Sequence, residues 1–93
     1  MHQEFTLTTT APGSRSLTLR LLSTDNERVR FAVAGALVAK YGADVWVKPV
    51  QSRTFKEWRF ELVPQGDQSL SDLRNRIKDY LQDLGLTPVI ILT

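Results

Sequence analysis

The pattern of apolar residues in this chain predicts an α+β fold, in which a β-sheet and helices form two packed layers. Stretches with alternating apolar side chains, typical of half-buried strands, flank two stretches that have the apolar spacing of a helix. The chain has 93 residues, of which 42% are hydrophobic and 24% are charged. This composition indicates a globular chain rather than a disordered or fibrous one, and the length predicts a single domain over residues 1–93.

The chain begins with two predicted strands joined by a turn. Residues 4–10 alternate, with Phe5 and Leu7 on one side and polar side chains on the other. Residues 11–14 read Ala-Pro-Gly-Ser, a composition that favours a tight turn. Residues 17–22 then place three leucines on one face, which predicts the second strand.

The first predicted helix follows a capping box, because Thr24 and Glu27 are three residues apart at its start. Gly42 is expected to end this helix in the left-handed conformation. The residues predicted to face the core are Val29, Val33, Ala36, Leu37 and Tyr41. Small side chains are expected to let the helix pack closely against the sheet or against a partner, and of the two we expect the sheet; they are Ala32, Ala34, Gly35 and Ala36.

The middle of the chain predicts two more strands, at residues 44–50 and 56–63, joined by a loop at 51–55. In the first of them, Trp46 is expected to point away from the helices. Pro49 predicts that this strand lies at an edge of the sheet, because proline has no N–H to donate to a second neighbour. The side chains expected to point inward are Val45, Val47, Trp58, Phe60 and Leu62.

The last part of the chain predicts a helix and a strand. Ser69 and Asp72 repeat the capping-box spacing at the start of the helix, and Gly85 is expected at its end. Residues 89–92 form the final predicted strand. The apolar residues with helical spacing are Leu70, Leu73, Ile77, Tyr80, Leu81 and Leu84.

From residue 17 onward the predicted order is βαββαβ, which indicates a ferredoxin-like two-layer sandwich. Such a fold has a four-stranded antiparallel sheet with two helices on one face. Residues 17–93 are its predicted core, and residues 4–16 add an extra strand and turn. The strand at 17–22 has neighbours on both sides in this fold, so the strand at 4–10 is not expected to pair with it as a simple hairpin. It is expected at an outer edge, on a partner chain, or in place of the last strand.

The segments GALVAKYGADVWVKPV and SLSDLRNRIKDYLQDLGL, with an apolar strand after the second, resemble the layout of ACT-type regulatory domains. The resemblance implies the ferredoxin-like fold and a dimer. It also implies small-molecule sensing at the dimer interface as one functional alternative. ACT domains that sense amino acids carry an Asp-x-Pro-Gly turn after the first strand, and residues 23–27 lack it here. Any ligand contact carried over from the family would rest on Asp25 and Asn26, which the predicted capping role also explains.

The residue inventory argues against enzyme chemistry. The chain has no cysteine and a single histidine, His2, so thiolate zinc sites, cysteine nucleophiles and histidine triads are excluded. We expect no metal, no cofactor and no catalytic activity; a metal-independent nuclease that uses arginine, tyrosine and acids is the remaining enzyme alternative. No apolar run reaches the length of a membrane span, so we expect a cytoplasmic protein without membrane contact.

The main functional prediction rests on Trp46, which is expected on the open face of the sheet beside Val50 and Leu22. Phe55 is expected at the tip of the loop that follows. Exposed apolar surface of this kind usually marks an interface. The sequence therefore predicts a small non-catalytic regulator or inhibitor, of the type carried by mobile elements, that docks to a protein partner or to itself.

The second functional prediction is binding of single-stranded nucleic acid by the same surface. Nine of the 12 Lys and Arg residues lie in residues 1–59, against five of the ten acids. Basic groups beside aromatic rings are typical of single-strand binding, although the same charges can equally pair across strands and keep the sheet in solution. A small-molecule ligand is not expected. The basic residues concerned are Arg20, Lys48, Arg53, Lys56 and Arg59.

Overall fold

The computed structural model of the chain describes residues 3–11, 13–22, 27–50 and 57–91. These residues form five strands and two helices. In chain order the elements are β1 (Gln3–Thr9), β2 (Leu17–Leu22), α1 (Glu27–Tyr41), β3 (Val45–Val50), β4 (Glu57–Pro64), α2 (Leu70–Asp83) and β5 (Leu86–Ile91).

The strands form one sheet in the order β3-β4-β2-β1-β5. β1 pairs with β2 in the antiparallel direction, with Phe5 opposite Leu21, and it pairs with β5 in the parallel direction. β4 is antiparallel to both β2 and β3. The described residues therefore form a mixed five-stranded sheet, which together with the two helices fits a two-layer α+β sandwich.

The position of β1 corrects the prediction that it cannot form a hairpin with β2. In the ferredoxin-like order the last strand lies beside β2, whereas here β1 takes that place and β5 lies outside it. The hairpin forms because the connection is short and turns back on itself. Ser14 donates its N–H to the carbonyl oxygen of Ala11 at 2.9 Å, and Gly13 has a φ of 84°. Displacement of the last strand is thus the observed arrangement, and the parallel β1–β5 pair makes the sheet mixed rather than antiparallel.

The hydrophobic core lies between the sheet and the helices and follows the predicted alternation. In β2 the three odd-numbered leucines are buried and the residues between them are half-buried. Trp58 also packs against the core, with the guanidinium carbon of Arg30 lying 4.1 Å from the centre of its ring. The buried apolar side chains are Phe5, Leu7, Leu17, Leu19, Leu21, Val33, Leu37, Val45, Phe60, Leu62, Leu73, Ile77, Leu81 and Leu86.

Helix α1 confirms the predicted buried stripe but presents small residues to solvent. Val33 and Leu37 are buried against the sheet. Ala32 and Gly35, which were expected to pack on the sheet, are exposed instead. Residues 32 and 35 are three apart, so they share one side of the helix, and that side points away from the core.

Gly42 follows α1 for a reason other than the predicted one. The glycines with positive φ in the described chain are Gly13 and Gly85, and Gly42 is not among them. A Cβ atom on residue 42 would fall well inside contact distance of the carbonyl oxygen of Val38, to which the Gly42 N–H donates at 2.8 Å. Close approach of the backbone, and not left-handed geometry, therefore accounts for glycine at this position.

The edges and helix ends follow the sequence signals closely. β3 stands at one end of the strand order, as Pro49 predicts. The side chain of Ser69 accepts the backbone N–H of Asp72 at 3.4 Å, which confirms this residue as the N-cap of α2. Gly85 has a φ of 94°, as expected for the residue after the helix.

Two details at the end of α2 and in β5 correct the sequence analysis. Leu84, predicted to face the core, lies beyond the last residue of α2 and is exposed. β5 begins at Leu86, earlier than predicted, and includes Pro88. Proline is tolerated there because β5 is an edge strand with one side not paired in the sheet.

Two predicted features lie outside the described residues. The first is the capping box at residues 24–27, of which only the backbone of Glu27 is described. The second is the loop at 51–55 together with Lys56. In the part of the chain that the structure describes, no helix is long and apolar enough to cross a membrane.

Candidate functional site

Trp46 stands on the edge strand β3 with 59% of its surface exposed. The residue opposite Trp46 on the neighbouring strand β4 is Val63, and the ammonium group of Lys48 lies 5.6 Å from the centre of the indole ring. The position of Trp46 on the surface agrees with the predicted alternation of β3. A tryptophan placed this way keeps a large apolar area in contact with water, which is typical of contact surfaces.

Val50 and Leu22, which were predicted to contact a partner together with Trp46, do not lie beside it. Val50 lies four residues further along β3, about 13 Å away at the usual rise of a strand, and its neighbour on β4 is Arg59. Leu22 lies on β2, two strands from β3. Phe55 lies outside the described residues. Among the described residues, the open face of the sheet therefore carries Trp46, Val50 and Leu22 separately and not as one patch.

Trp46 instead adjoins the outer side of α1. A depression of about 350 Å³ lies between the end of the helix and the edge of the sheet. Its apolar lining connects the indole with the helix surface, so the apolar region around Trp46 continues over the sheet edge. The lining residues are Val38, Gly42, Val45, Trp46, Val47 and Gln65.

The outer side of α1 is a second apolar surface, which the sequence analysis did not identify. Phe31 is 62% exposed and Val38 is 54% exposed. Ala32, Gly35 and Ala39 lie beside them and are also exposed. The available signal was that apolar residues in this stretch occur outside the predicted core stripe, so that the helix is apolar on both sides.

The predicted basic residues are partly brought together on the open face. Arg20 on β2 lies directly opposite Arg59 on β4, whereas Lys48 on β3 lies opposite Glu61. Two like charges in direct register add to the local positive potential, while an acid opposite a base reduces it. Arg53 and Lys56 lie outside the described residues.

A cluster of hydroxyl groups closes the β1–β2 end of the open face. The Oγ atom of Ser16 lies 2.9 Å from the hydroxyl of Thr10 and 3.1 Å from a carboxylate oxygen of Glu61. The hydroxyls of Thr10 and Thr18 are 2.8 Å apart. Ser16 itself is buried, so these contacts satisfy its hydroxyl and fix the hairpin.

Two tyrosines join the helices. The rings of Tyr41 and Tyr80 meet edge to face with their centres 5.8 Å apart, and the ammonium group of Lys40 lies 4.5 Å from the centre of the Tyr80 ring. Tyr41 donates its hydroxyl to the carbonyl oxygen of Arg76 at 3.3 Å. Burial raises the pKa of the Tyr41 hydroxyl above its usual value, and the neighbouring Tyr80 adds to the rise.

An apolar groove of about 350 Å³ lies between α1 and the start of β5. Val29 and Ala36 line one side of it, and Leu84 and Leu86 line the other. At one end, Gln3 uses its amide group to donate to the carbonyl oxygen of Leu22 at 2.6 Å. A ligand bound in this groove would contact mostly apolar side chains.

Metal chemistry and family membership receive no support from the geometry or from comparison. Among the residues that the structure describes, no three His, Asp or Glu side chains come together to hold a metal ion. Comparison of the chain with protein-family models, with curated proteins and with solved structures yields no match.

Proposed function

We propose that this protein is a small non-catalytic binding module, of a regulatory or inhibitory type, that docks to a protein partner or to a second copy of itself. The observation that supports this proposal is Trp46, an exposed indole on an edge strand beside an apolar depression. With more than half of its surface exposed, the residue can remove about 100–150 Å² of apolar area from water on binding. At about 25 cal/mol per Å², this burial is worth about 3 kcal/mol, the size of an interface hot spot.

The test compares the wild-type protein with Trp46→Ala and with a matched control, Val89→Ala. Val89 is 49% exposed on β5, at the opposite edge of the sheet, so its truncation removes apolar surface away from the proposed site. Each tagged variant is expressed in its native cells and cross-linked, and the attached proteins are identified and quantified. We expect one or more partners to be held by the wild type and by Val89→Ala and to be lost from Trp46→Ala.

The same variants are checked for folding by circular dichroism and thermal melting. Because Trp46 is exposed, its truncation is expected to leave the melting temperature within a few degrees of that of the wild type. Retention of every partner by a folded Trp46→Ala variant contradicts the proposal. A Trp46→Ala variant that unfolds shows that the indole is part of the core and contradicts it equally.

Single-stranded nucleic acid is the second candidate, favoured by the direct register of Arg20 and Arg59. Binding of a fluorescent oligonucleotide is measured by anisotropy between low and high salt. This alternative predicts affinity that falls steeply with salt, because bound phosphates release counterions. It also predicts that the double variant Arg20→Gln with Arg59→Gln binds at least tenfold more weakly. Binding that responds to neither change excludes it.

A further inference from the structure

We propose that the outer side of α1 is an interface between two copies of this chain, which cross there as antiparallel helices centred on Gly35. This surface consists of Phe31, Ala32, Gly35, Val38 and Ala39, and we call it the α1 face. These residues are spaced by one, three and four positions, so they form one continuous side of the helix. All five are exposed, and the core-facing Val33 and Leu37 lie on the opposite side.

The first argument is that the described residues give no reason for glycine at position 35. Glycine within a helix is destabilising by about 0.5–1 kcal/mol relative to alanine. A Cβ atom on Gly35 would have none of the described residues within 4 Å, so their packing does not exclude a larger residue. Glycine at the centre of an apolar helix face instead lets a second helix approach closely.

The second argument is that the α1 face is complementary to itself about Gly35. A two-fold axis through Gly35 brings Phe31 of one copy to Ala39 of the second copy, and Val38 of one copy to Ala32 of the second copy. Each large side chain thus meets a small one, and the two glycines meet at the crossing point. Such isologous contacts are the usual way in which dimers form.

The third argument is that the charges at the two ends are complementary in this arrangement. Arg28 is exposed one turn before Phe31, and Asp44 is exposed just beyond the other end of the helix. The antiparallel crossing places Arg28 beside the carboxyl end of α1 in the second copy, where the helix dipole and Asp44 are negative. Lys40 also lies in the last turn, but its ammonium group lies over the Tyr80 ring, toward α2. The backbone at Asp44 is held in place, since the carbonyl oxygen of Asp44 accepts hydrogen bonds from the Gln65 N–H and from the Gln68 side-chain amide.

The available area sets the expected strength of the dimer. α1 has 15 residues, which gives a length of about 22 Å. The α1 face lies on a single helix about 10 Å wide, so it offers about 220 Å² in projection. Stable interfaces bury about 800 Å² on each partner, so we expect a weak, reversible dimer that dissociates at micromolar concentrations.

The experiment is sedimentation equilibrium of the whole chain across micromolar concentrations, with Gly35→Gln as the test variant. The control is Asn75→Gln, which introduces the same side chain on the exposed side of α2. We expect a concentration-dependent dimer for the wild type and for Asn75→Gln. In Gly35→Gln the dissociation constant should rise by at least about tenfold, while the melting temperature stays the same or rises.

A cross-linking experiment tests the register of the helices. The chain has no cysteine, so any disulfide bond that forms must join the introduced cysteines. In the double variant Ala32→Cys with Val38→Cys, the two cysteines are six residues apart on one helix and cannot reach each other. In the antiparallel dimer, the cysteine at position 32 of one copy meets the cysteine at position 38 of the second copy. We expect oxidation to yield a covalent dimer from the double variant and none from either single variant. No covalent dimer from the double variant overturns the antiparallel register.

Three other outcomes overturn the proposal. A wild-type protein that is monomeric at every concentration excludes self-association and leaves the α1 face to a different protein. A dimer that persists in Gly35→Gln excludes the α1 face as its interface. A dimer that Trp46→Ala abolishes and Gly35→Gln leaves intact assigns self-association to the edge of the sheet. Since the proposal does not depend on the docking of a partner at Trp46, failure of either leaves the other standing.

Discussion

The substitution Gly42→Ala tests the geometry that connects α1 to β3. The added Cβ atom would collide with the carbonyl oxygen of Val38, so the backbone has to move away from that oxygen. This movement breaks the hydrogen bond from the Gly42 N–H to Val38, which is 2.8 Å long. A lost backbone hydrogen bond costs about 0.5–1.5 kcal/mol, and displacement into a strained conformation costs about 1–2 kcal/mol more.

The expected net loss is about 2 kcal/mol of unfolding free energy, since a less flexible unfolded chain offsets part of the cost. For a domain of this size, such a change lowers the melting temperature by about 10 °C. The assay is urea denaturation followed by circular dichroism, in which the midpoint should fall while the slope of free energy with urea stays constant. Gly35→Ala is the control in dilute, monomeric protein, because its Cβ atom enters open space on the same helix and should stabilise the protein by about 0.5–1 kcal/mol.

Gly42→Asn separates close approach from left-handed geometry. Asparagine tolerates positive φ better than alanine does, so Gly85→Asn should be more stable than Gly85→Ala, since Gly85 has a φ of 94°. At position 42 both substitutions place a Cβ atom against Val38 and should be equally harmful. A Gly42→Ala variant as stable as the wild type, or an asparagine that restores most of the stability, would refute the reasoning.

Three further predictions concern the core, a helix cap and a half-buried tyrosine. Leu37→Ala should lower the unfolding free energy by about 2–5 kcal/mol, because Leu37 is fully buried. Leu84 is exposed, so Leu84→Ala should lower it by less than about 1 kcal/mol in the same urea assay. Equal losses contradict this assignment of the core. Ser69→Ala removes the N-cap of α2 and should cost about 1 kcal/mol, while Ser69→Asp, which can also cap, should cost less. Folding raises the pKa of Tyr41 through burial and the nearby Tyr80, so the folded state holds the hydroxyl proton more tightly than the unfolded state does. The contribution of this group to the unfolding free energy is present below pH 10 and is lost as the pH rises through the folded pKa. Tyr41→Phe should therefore show a smaller loss of stability than the wild type between pH 9 and 12, and identical alkaline profiles contradict the assignment.

For the residues of β3, the sequence predicted which side of the sheet each side chain faces. Period-two alternation places Trp46 outside and its neighbours Val45 and Val47 inside, and the structure has them so. The sequence did not predict which apolar residues lie near Trp46. Val50 shares its face but lies further along the strand, whereas Val38 is distant in sequence and lines the same depression. Contacts of this kind depend on how α1 lies across the sheet, which no local pattern records.

The sequence by itself determined the elements, the buried sides of the first four strands and of α2, the edge position of β3 and the ends of α2. Each of these depends on residues close together in the chain: the alternation of a strand, the missing N–H of Pro49, the hydroxyl of Ser69 and the positive φ of Gly85. Their physical causes act over one or two turns of helix or within one strand, so a linear pattern contains them.

The tertiary structure alone decided the strand order and the exposure of the second side of α1. Both β1 and β5 carry apolar residues suited to a place beside β2, and the short hairpin connection gives that place to β1. α1 is apolar on both sides, so either side satisfies the demand for a buried stripe. Packing Val33 and Leu37 on the sheet leaves Phe31 and Val38 in water, because a helix can bury only one side against a single sheet.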